Sequence, residues 1–298
     1  MNKFSLDNFL LNRQAKRILK NPPKFGENYF FMDLGDFVLR YQVMGEGAMT
    51  LVFIPDAPNT IEHYQQLNEL LKPHFRVVIF ELPGFGFSFP KKSNYKFSLA
   101  ENTDLTIRFL EKLGFQNYIL AFPCVSGYVA WQIATQKPNL VKAIINIQTP
   151  AWAEELKWVK RLDPKGAMNR PYLGQVFLQM YKRKVAQGWY QVALPKENYH
   201  PQFWETCEKA FAQGSAYCLA SAFQGVFSTQ TPDFQIIKQK SLIIWGLKDR
   251  SHRKTDKGLQ NAHFQDFRTE NLAEAGHFPE LEFPEKFVEI LLDWKQQN

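Results

Sequence analysis

The stretch LGFQNYILAFPCVSGYVAWQIA, residues 113–134, decides the fold. Its YILAF portion is a continuously apolar run of strand length, and GYVAWQIA carries a helical pattern. Between them the chain breaks sharply, with Cys124 at the break. A side chain at such a junction stands at the end of a sheet with a helix N-terminus behind it, so Cys124 is the first candidate for a nucleophile.

Upstream, YFFMDL and FVLRYQVMG read as two strands joined by a Gly-Asp turn. Then alternation begins: LVFIP a strand, IEHYQQLNELL a helix, FRVVIF a strand, SLAENTDLTIRFLEKLG a helix ending at Gly114, and, after the elbow, AIINIQ a strand. Apolar strands separated by helices predict a mostly parallel sheet covered on both faces, with ligands bound beyond the strand C-termini. From about 149 to 233 the alternation gives way to helical patterns rich in Trp and Tyr, and it resumes with SLIIWG, KTDKGLQNAH as a helix, FRTENL and a closing helix PEKFVEILLDWKQQ. Flanks that belong to one sheet make the interruption a cap. The expected organisation is an N-terminal basic helical extension at 1–27, ending at the Pro22–Pro23 break, a first core segment at 28–148, a helical cap inserted after the sixth strand at 149–235, and a second core segment at 236–298.

A chain of 298 residues with 45% hydrophobic side chains buries a large core. No apolar run approaches membrane-spanning length and no signal peptide is recognisable, so a cytoplasmic location is expected. Cys124, Cys207 and Cys218 lack metal-type spacing, which predicts reduced thiols, no metal site and no cofactor. The net charge of +7 is uneven, with six basic residues against Asp7 in residues 1–24. Leu11, Ala15 and Ile18 follow helical spacing there, consistent either with weak contact to a membrane surface or acidic partner, or with a helix packed on the body by its apolar stripe. The commonness of basic amphipathic helices favours the second. Basic residues elsewhere are interleaved with acids, which argues against nucleic-acid binding. Nothing in the sequence bears on oligomeric state.

FIPDAP after the third strand, ELPGFGFS after the fourth, the AFPCVSGYVA elbow, and WGLKD followed by AGHFPELEFPE occur in an order and spacing that resembles the α/β-hydrolase superfamily, in its capped branch of esterases, epoxide hydrolases and haloalkane dehalogenases. The resemblance runs from about Tyr29 to the C-terminus, apart from the cap. It implies a nucleophile in a strained strand-to-helix turn. Ser126 competes for that position but would put Tyr128 where a small residue is needed, while Cys124 is followed by Ser126 and Gly127, so Cys124 is favoured; Phe122 departs from the family's small residue. The resemblance makes Asp249 the triad acid and His277 the base. A helix N-terminus and a histidine would together lower the Cys124 pKa. Cys207 and Cys218 read as core fillers.

The family's His-Gly-x-Pro motif maps onto Pro55, Asp56, Ala57 and Pro58, and the resemblance assigns oxyanion donors to the backbone N–H groups of Ala57 and Val125. Asp56 is the departure: its charge either opposes a developing oxyanion or points away to cap a turn. GFGFS, residues 84–88, reads as a structural turn and not as a serine motif or phosphate loop.

A cysteine cannot form the ester intermediate of the epoxide hydrolases or dehalogenases, and Val125 stands where the dehalogenases commonly place a halide-binding Trp. Acyl chemistry remains: attack on an ester, thioester or lactone with an apolar body, through a thioester acyl-enzyme, ending in hydrolysis or transfer. The alternative is a non-catalytic binding or scaffolding protein with a degraded site.

Overall fold

The computed structural model describes residues 3–21, 28–198, 201–227 and 231–297. The expected break at Pro22–Pro23 lies outside them. Among the described residues the main sheet has nine strands, eight of them in one continuous order: β1 (Tyr29–Asp33), β2 (Phe37–Met44), β3 (Thr50–Phe53), β4 (Arg76–Phe80), β5 (Tyr118–Pro123), β6 (Val141–Ile147), β7 (Lys240–Gly246) and β8 (Phe267–Leu272). Their spatial order is β1-β2-β4-β3-β5-β6-β7-β8, with Phe89–Pro90 pairing beside β2. β2 is antiparallel to both β1 and β4, and every later pairing is parallel.

Before the helical insertion lie α1 (Ser5–Lys20), α2 (Gln65–Leu71), α3 (Leu99–Leu113) and α4 (Gly127–Gln136). The insertion between β6 and β7 contains α5 (Trp152–Leu162), α6 (Leu173–Ala193), α7 (Pro201–Gln213) and α8 (Leu219–Val226), and the chain closes with α9 (Pro279–Glu282) and α10 (Pro284–Gln296). Side chains alternate across each strand, so the apolar strands feed two cores. Val52, Val78, Leu120 and Ile144 pack with α3 and α4 on one face; Leu51, Val77, Ile119 and Ile145 pack with α2 and α10 on the other.

Local chemistry sets the helix ends. Ser98 accepts the Glu101 N–H at 3.2 Å to start α3, and Gly114, at φ +71°, ends it. The expected helix in KTDKGLQNAH is only a 3-10 turn at Leu259–His263. Upstream of it the Asp256 carboxylate accepts the Gly258 N–H at 2.9 Å, and such a local side-chain bond competes with helix.

The apolar stripe of α1 is buried at Leu11, Ala15 and Ile18. Gln14 Nε2 donates to the carbonyls of both Gly86, at 2.9 Å, and Gly214, at 2.8 Å, while the Asp7 carboxylate accepts from Ser221 Oγ at 2.7 Å and Gln179 Nε2 at 3.0 Å. Helix α1 therefore ties the insertion to the sheet domain. No helix among the described residues is long and apolar enough to cross a membrane.

The strand order reverses between β3 and β5, where loops leaving adjacent strand C-termini diverge and open a crevice. Asp56 follows β3 and Cys124 follows β5; Asp249 follows β7 and His277 follows β8.

Candidate active site

Cys124 leaves β5 at φ +51° and begins the one-turn 3-10 segment Cys124–Ser126 that leads into α4. A β-carbon in this left-handed region is strained, and the conformation persists because its surroundings fix it. The Thr149 hydroxyl donates to the Cys124 carbonyl at 2.7 Å, and a Cβ on Gly127 would lie 2.1 Å from Thr149 Oγ1, so the elbow needs glycine there. Phe122 causes no conflict with the turn: its ring is fully buried on the α3–α4 face, 6.1 Å from that of Phe80. Ser126 Oγ donates to the Pro123 carbonyl at 2.5 Å, which leaves Cys124 as the side chain presented at the break.

Cys124, Asp249 and His277 come together. His277 Nδ1 lies 2.6 Å from Asp249 Oδ2, with both side chains fully buried. Asp249 also accepts from Gln148 Nε2 at 2.8 Å, Ser251 Oγ at 2.7 Å and the Ser251 N–H at 2.8 Å. Burial alone would raise its pKa, but the His277 charge and hydrogen bond, helped by His252 and Ser251, hold it well below the usual carboxylate range. The His277 ring stacks on His252 at 5.4 Å and meets the edge of Trp189 at 5.0 Å.

Asp56 turns toward the site. Its Oδ2 lies 3.1 Å from His277 Nε2, so the imidazole stands between two carboxylates. Burial would lower the His277 pKa, but the Asp249 charge and the bonds to Asp249 and Asp56 raise it well above its ordinary value. The two carboxylates favour the protonated ring. The expectation of an acidic Cys124 thiol is corrected here: burial first, then repulsion from Asp56, push its pKa far up, against a smaller opposing pull from His277. These effects favour the neutral thiol.

The cysteine sulfur, a His277 ring nitrogen and an Asp56 oxygen lie within 4.8 Å of one another, as do donor atoms of Asp249, His252 and His277. These are the two groups among the described residues whose spacing could hold a cation.

Above Cys124 is a cavity of about 300 Å³, mostly apolar, lined from the sheet domain by Asp56, Ala57 and Val125 and from the insertion by Trp158, Trp189 and Phe223. Ala57 and Val125, the expected oxyanion donors, thus line the same cavity as Cys124, and the Ala57–Pro58 peptide is cis. The indole Nε1 atoms of Trp158 and Trp189 are buried with no partner among the described residues, leaving donors for an oxygen on a bound molecule. Other aromatics of the insertion, including Tyr190, Phe203, Phe211 and Tyr217, form its own core.

Three contributors carry no motif. Gln148, at φ +50°, bridges Asp249 and the Gly246 N–H. His252 stacks on the His277 ring. Glu155, fully buried on α5, has its pKa pushed up to about 8 by burial, with the His277 charge opposing. GFGFS is the structural turn expected: the Glu81 carboxylate accepts the Phe87 N–H at 2.7 Å, and a Cβ on Gly86 would lie 2.1 Å from that carboxylate.

The chain is 28% identical over 116 residues, 39% of its length, to the dihydrolipoyllysine-residue acetyltransferase component of the acetoin cleaving system of Cupriavidus necator; the chain spans about three-tenths of that relative, since the match covers 30% of it. It is similar in structure to a Salmonella enterica protein classed as an acyltransferase, with a TM-score of 0.78, 15% identity and coverage of 92% of this chain and 97% of that one. A Bacillus megaterium epoxide hydrolase gives a TM-score of 0.66 at 16% identity, covering 90% and 100%. Those structural likenesses are of fold. A family model described as the alpha/beta hydrolase fold matches residues 50–284, most of the chain, and together with the sheet order and the strained elbow it places this protein in the α/β-hydrolase family.

Proposed function

We propose that the protein is an acyl-transferring enzyme, a hydrolase or acyltransferase, that uses Cys124, His277 and Asp249 to form a thioester acyl-enzyme with an ester, thioester or lactone whose apolar body fills the cavity. The observation that carries this reading is Cys124 at φ +51° on the cavity floor, beside a histidine whose far nitrogen is fixed at 2.6 Å by a buried aspartate. The acetyltransferase relative favours the same chemistry. The buried free thiols Cys124, Cys207 and Cys218 suit a reducing, cytoplasmic compartment.

The proton inventory sets the order of events. Asp56, whose carboxyl is raised by burial, takes the Nε2 proton from His277. The neutral ring then accepts the thiol proton, and the thiolate attacks the acyl carbon. The carbonyl electron pair moves onto oxygen, facing the N–H groups of Ala57 and Val125. On collapse the leaving group takes the proton from Nε2. Neutral His277 next draws a proton from water or another acceptor, which attacks the thioester; the Cys124 sulfur leaves and is reprotonated by His277, and Nε2 recovers its proton from Asp56.

The test is intact-mass detection of acyl transfer from a panel of activated esters and acyl thioesters. Wild type should gain one acyl mass on Cys124, Cys124→Ala none, and His277→Ala should acylate more slowly by on the order of a hundredfold or more. A second reading, a binding protein that retains the fold, is favoured by the occupation of His277 Nε2 by Asp56. It becomes the better account if no donor acylates Cys124 while the thiol remains alkylatable.

A further inference from the structure

We propose that helix α6 docks this protein on an anionic phospholipid bilayer. Leu173, Val176, Phe177, Met180 and Tyr181 are between 41% and 69% exposed. At helical spacing they share one side of α6, while Gln175, Leu178 and Ala186 on the other side are buried. The helix is therefore apolar toward solvent over more than two turns, where an ordinary surface helix would present polar side chains. A contiguous exposed stripe of this kind marks a surface that is covered in use.

Charge identifies the cover. Arg170, just before the helix, and Arg183 and Lys184, just after the stripe, are exposed. Residues 157–184 hold eight basic side chains against Asp163 alone, while the whole chain carries only +7. Arg183 pairs with Glu208 at 3.0 Å, and Lys184 lies 6.0 Å from the Tyr181 ring, its ammonium beside the stripe. A second copy of the chain would bring two basic rims together. A folded acidic partner needs a complementary shape, whereas a convex helical ridge with large apolar side chains and flanking lysines fits a fluid surface: the apolar groups sink below the headgroups and the ammonium and guanidinium groups meet the phosphates.

The position on the helix connects this surface to the cavity. Val185, Gly188, Trp189 and Val192, in the turns after the stripe, line the cavity above Cys124. Docking through residues 173–181 would hold the cavity close to the bilayer. The proposal goes beyond the acyl-transfer reading and does not depend on it.

The experiment is co-sedimentation of the full chain with phosphatidylcholine vesicles, with and without phosphatidylglycerol. Wild type and Cys124→Ala should both bind the mixed vesicles, bind pure phosphatidylcholine far less, and release in high salt. Binding by Cys124→Ala keeps this result separate from the fate of the catalytic reading. Phe177→Ser with Met180→Ser should weaken binding at least about tenfold, since two large apolar side chains no longer insert. Arg170→Glu with Lys184→Glu should abolish the preference for phosphatidylglycerol. Because all four positions are exposed, both pairs should melt as wild type does. The proposal is overturned if wild type stays in the supernatant with the mixed vesicles, or if the serine pair binds as well as wild type. Sensitivity to the charge pair alone would mean that basic side chains adhere to anionic headgroups without insertion of the stripe, which likewise overturns the proposal.

Discussion

At the scale of single residues, Asp56 sets the state of the site. In the family's motif a glycine stands there, and the side chain present here holds His277 Nε2 at 3.1 Å while repelling a thiolate on Cys124. Replacing it with that glycine removes both effects: His277 loses a partner that raises its pKa, and Cys124 loses a negative neighbour that raises its own. The sign follows directly. Removing a negative charge favours the ionised thiol, so the Cys124 pKa falls and alkylation begins at lower pH. Asp56→Gly should shift the iodoacetamide pH–rate profile of Cys124 to lower pH and speed acylation by at least about tenfold near neutrality; a shift to higher pH would mean that Asp56 holds the loop in place and does not restrain the histidine. Sequence reading located Cys124, Asp249 and His277 because each follows a strand of the same sheet. It left the direction of Asp56 open, since one residue in a loop has no periodicity to show which way it points. Gln148 was invisible for a related reason: it bonds to Asp249, 101 residues away, and lies at the very edge of an expected segment.

Among the elements, the β5–elbow–α4 unit shows how sequence and geometry fit. The apolar run and the helical pattern were legible, and so was the break. The reason Gly127 is required was not, because Thr149 reaches it from the far end of β6. Gly127→Ala should destabilise the fold by about 1–3 kcal/mol through overpacking and slow Cys124 acylation by turning the elbow. Adding Thr149→Ala removes the contacts at 2.1 Å and 2.8 Å and leaves the one at 2.9 Å, so the double variant should recover part of the stability in urea unfolding. No recovery would mean that the glycine serves the backbone and not the close approach. The KTDKGLQNAH segment failed in the other direction, since its periodicity suggested a helix that a single Asp256 bond interrupts.

For the whole molecule, α1 is the element whose role composition described least well. Its basic charge was plain in the sequence, but its buried polar bonds depend on residues far along the chain. Leu11 is 1% exposed in the core that holds Met32 and Phe97. Leu11→Ala should cost about 2–5 kcal/mol and increase limited proteolysis within residues 149–235 as well as in α1, because the helix joins the insertion to the sheet domain. Cleavage confined to α1 would show that the insertion stands without it.

The bond from Ser221 to Asp7 spans 214 positions. During synthesis, α1 emerges long before this partner, which follows 214 positions later. Its apolar face has partners close by in the chain, in Met32, Val38 and Phe89, but its polar bonds to the insertion must wait, since contacts of such separation form late. The helix is thus translated well before the surface it ties down, and the join between the sheet domain and the insertion closes only after the insertion itself has been made.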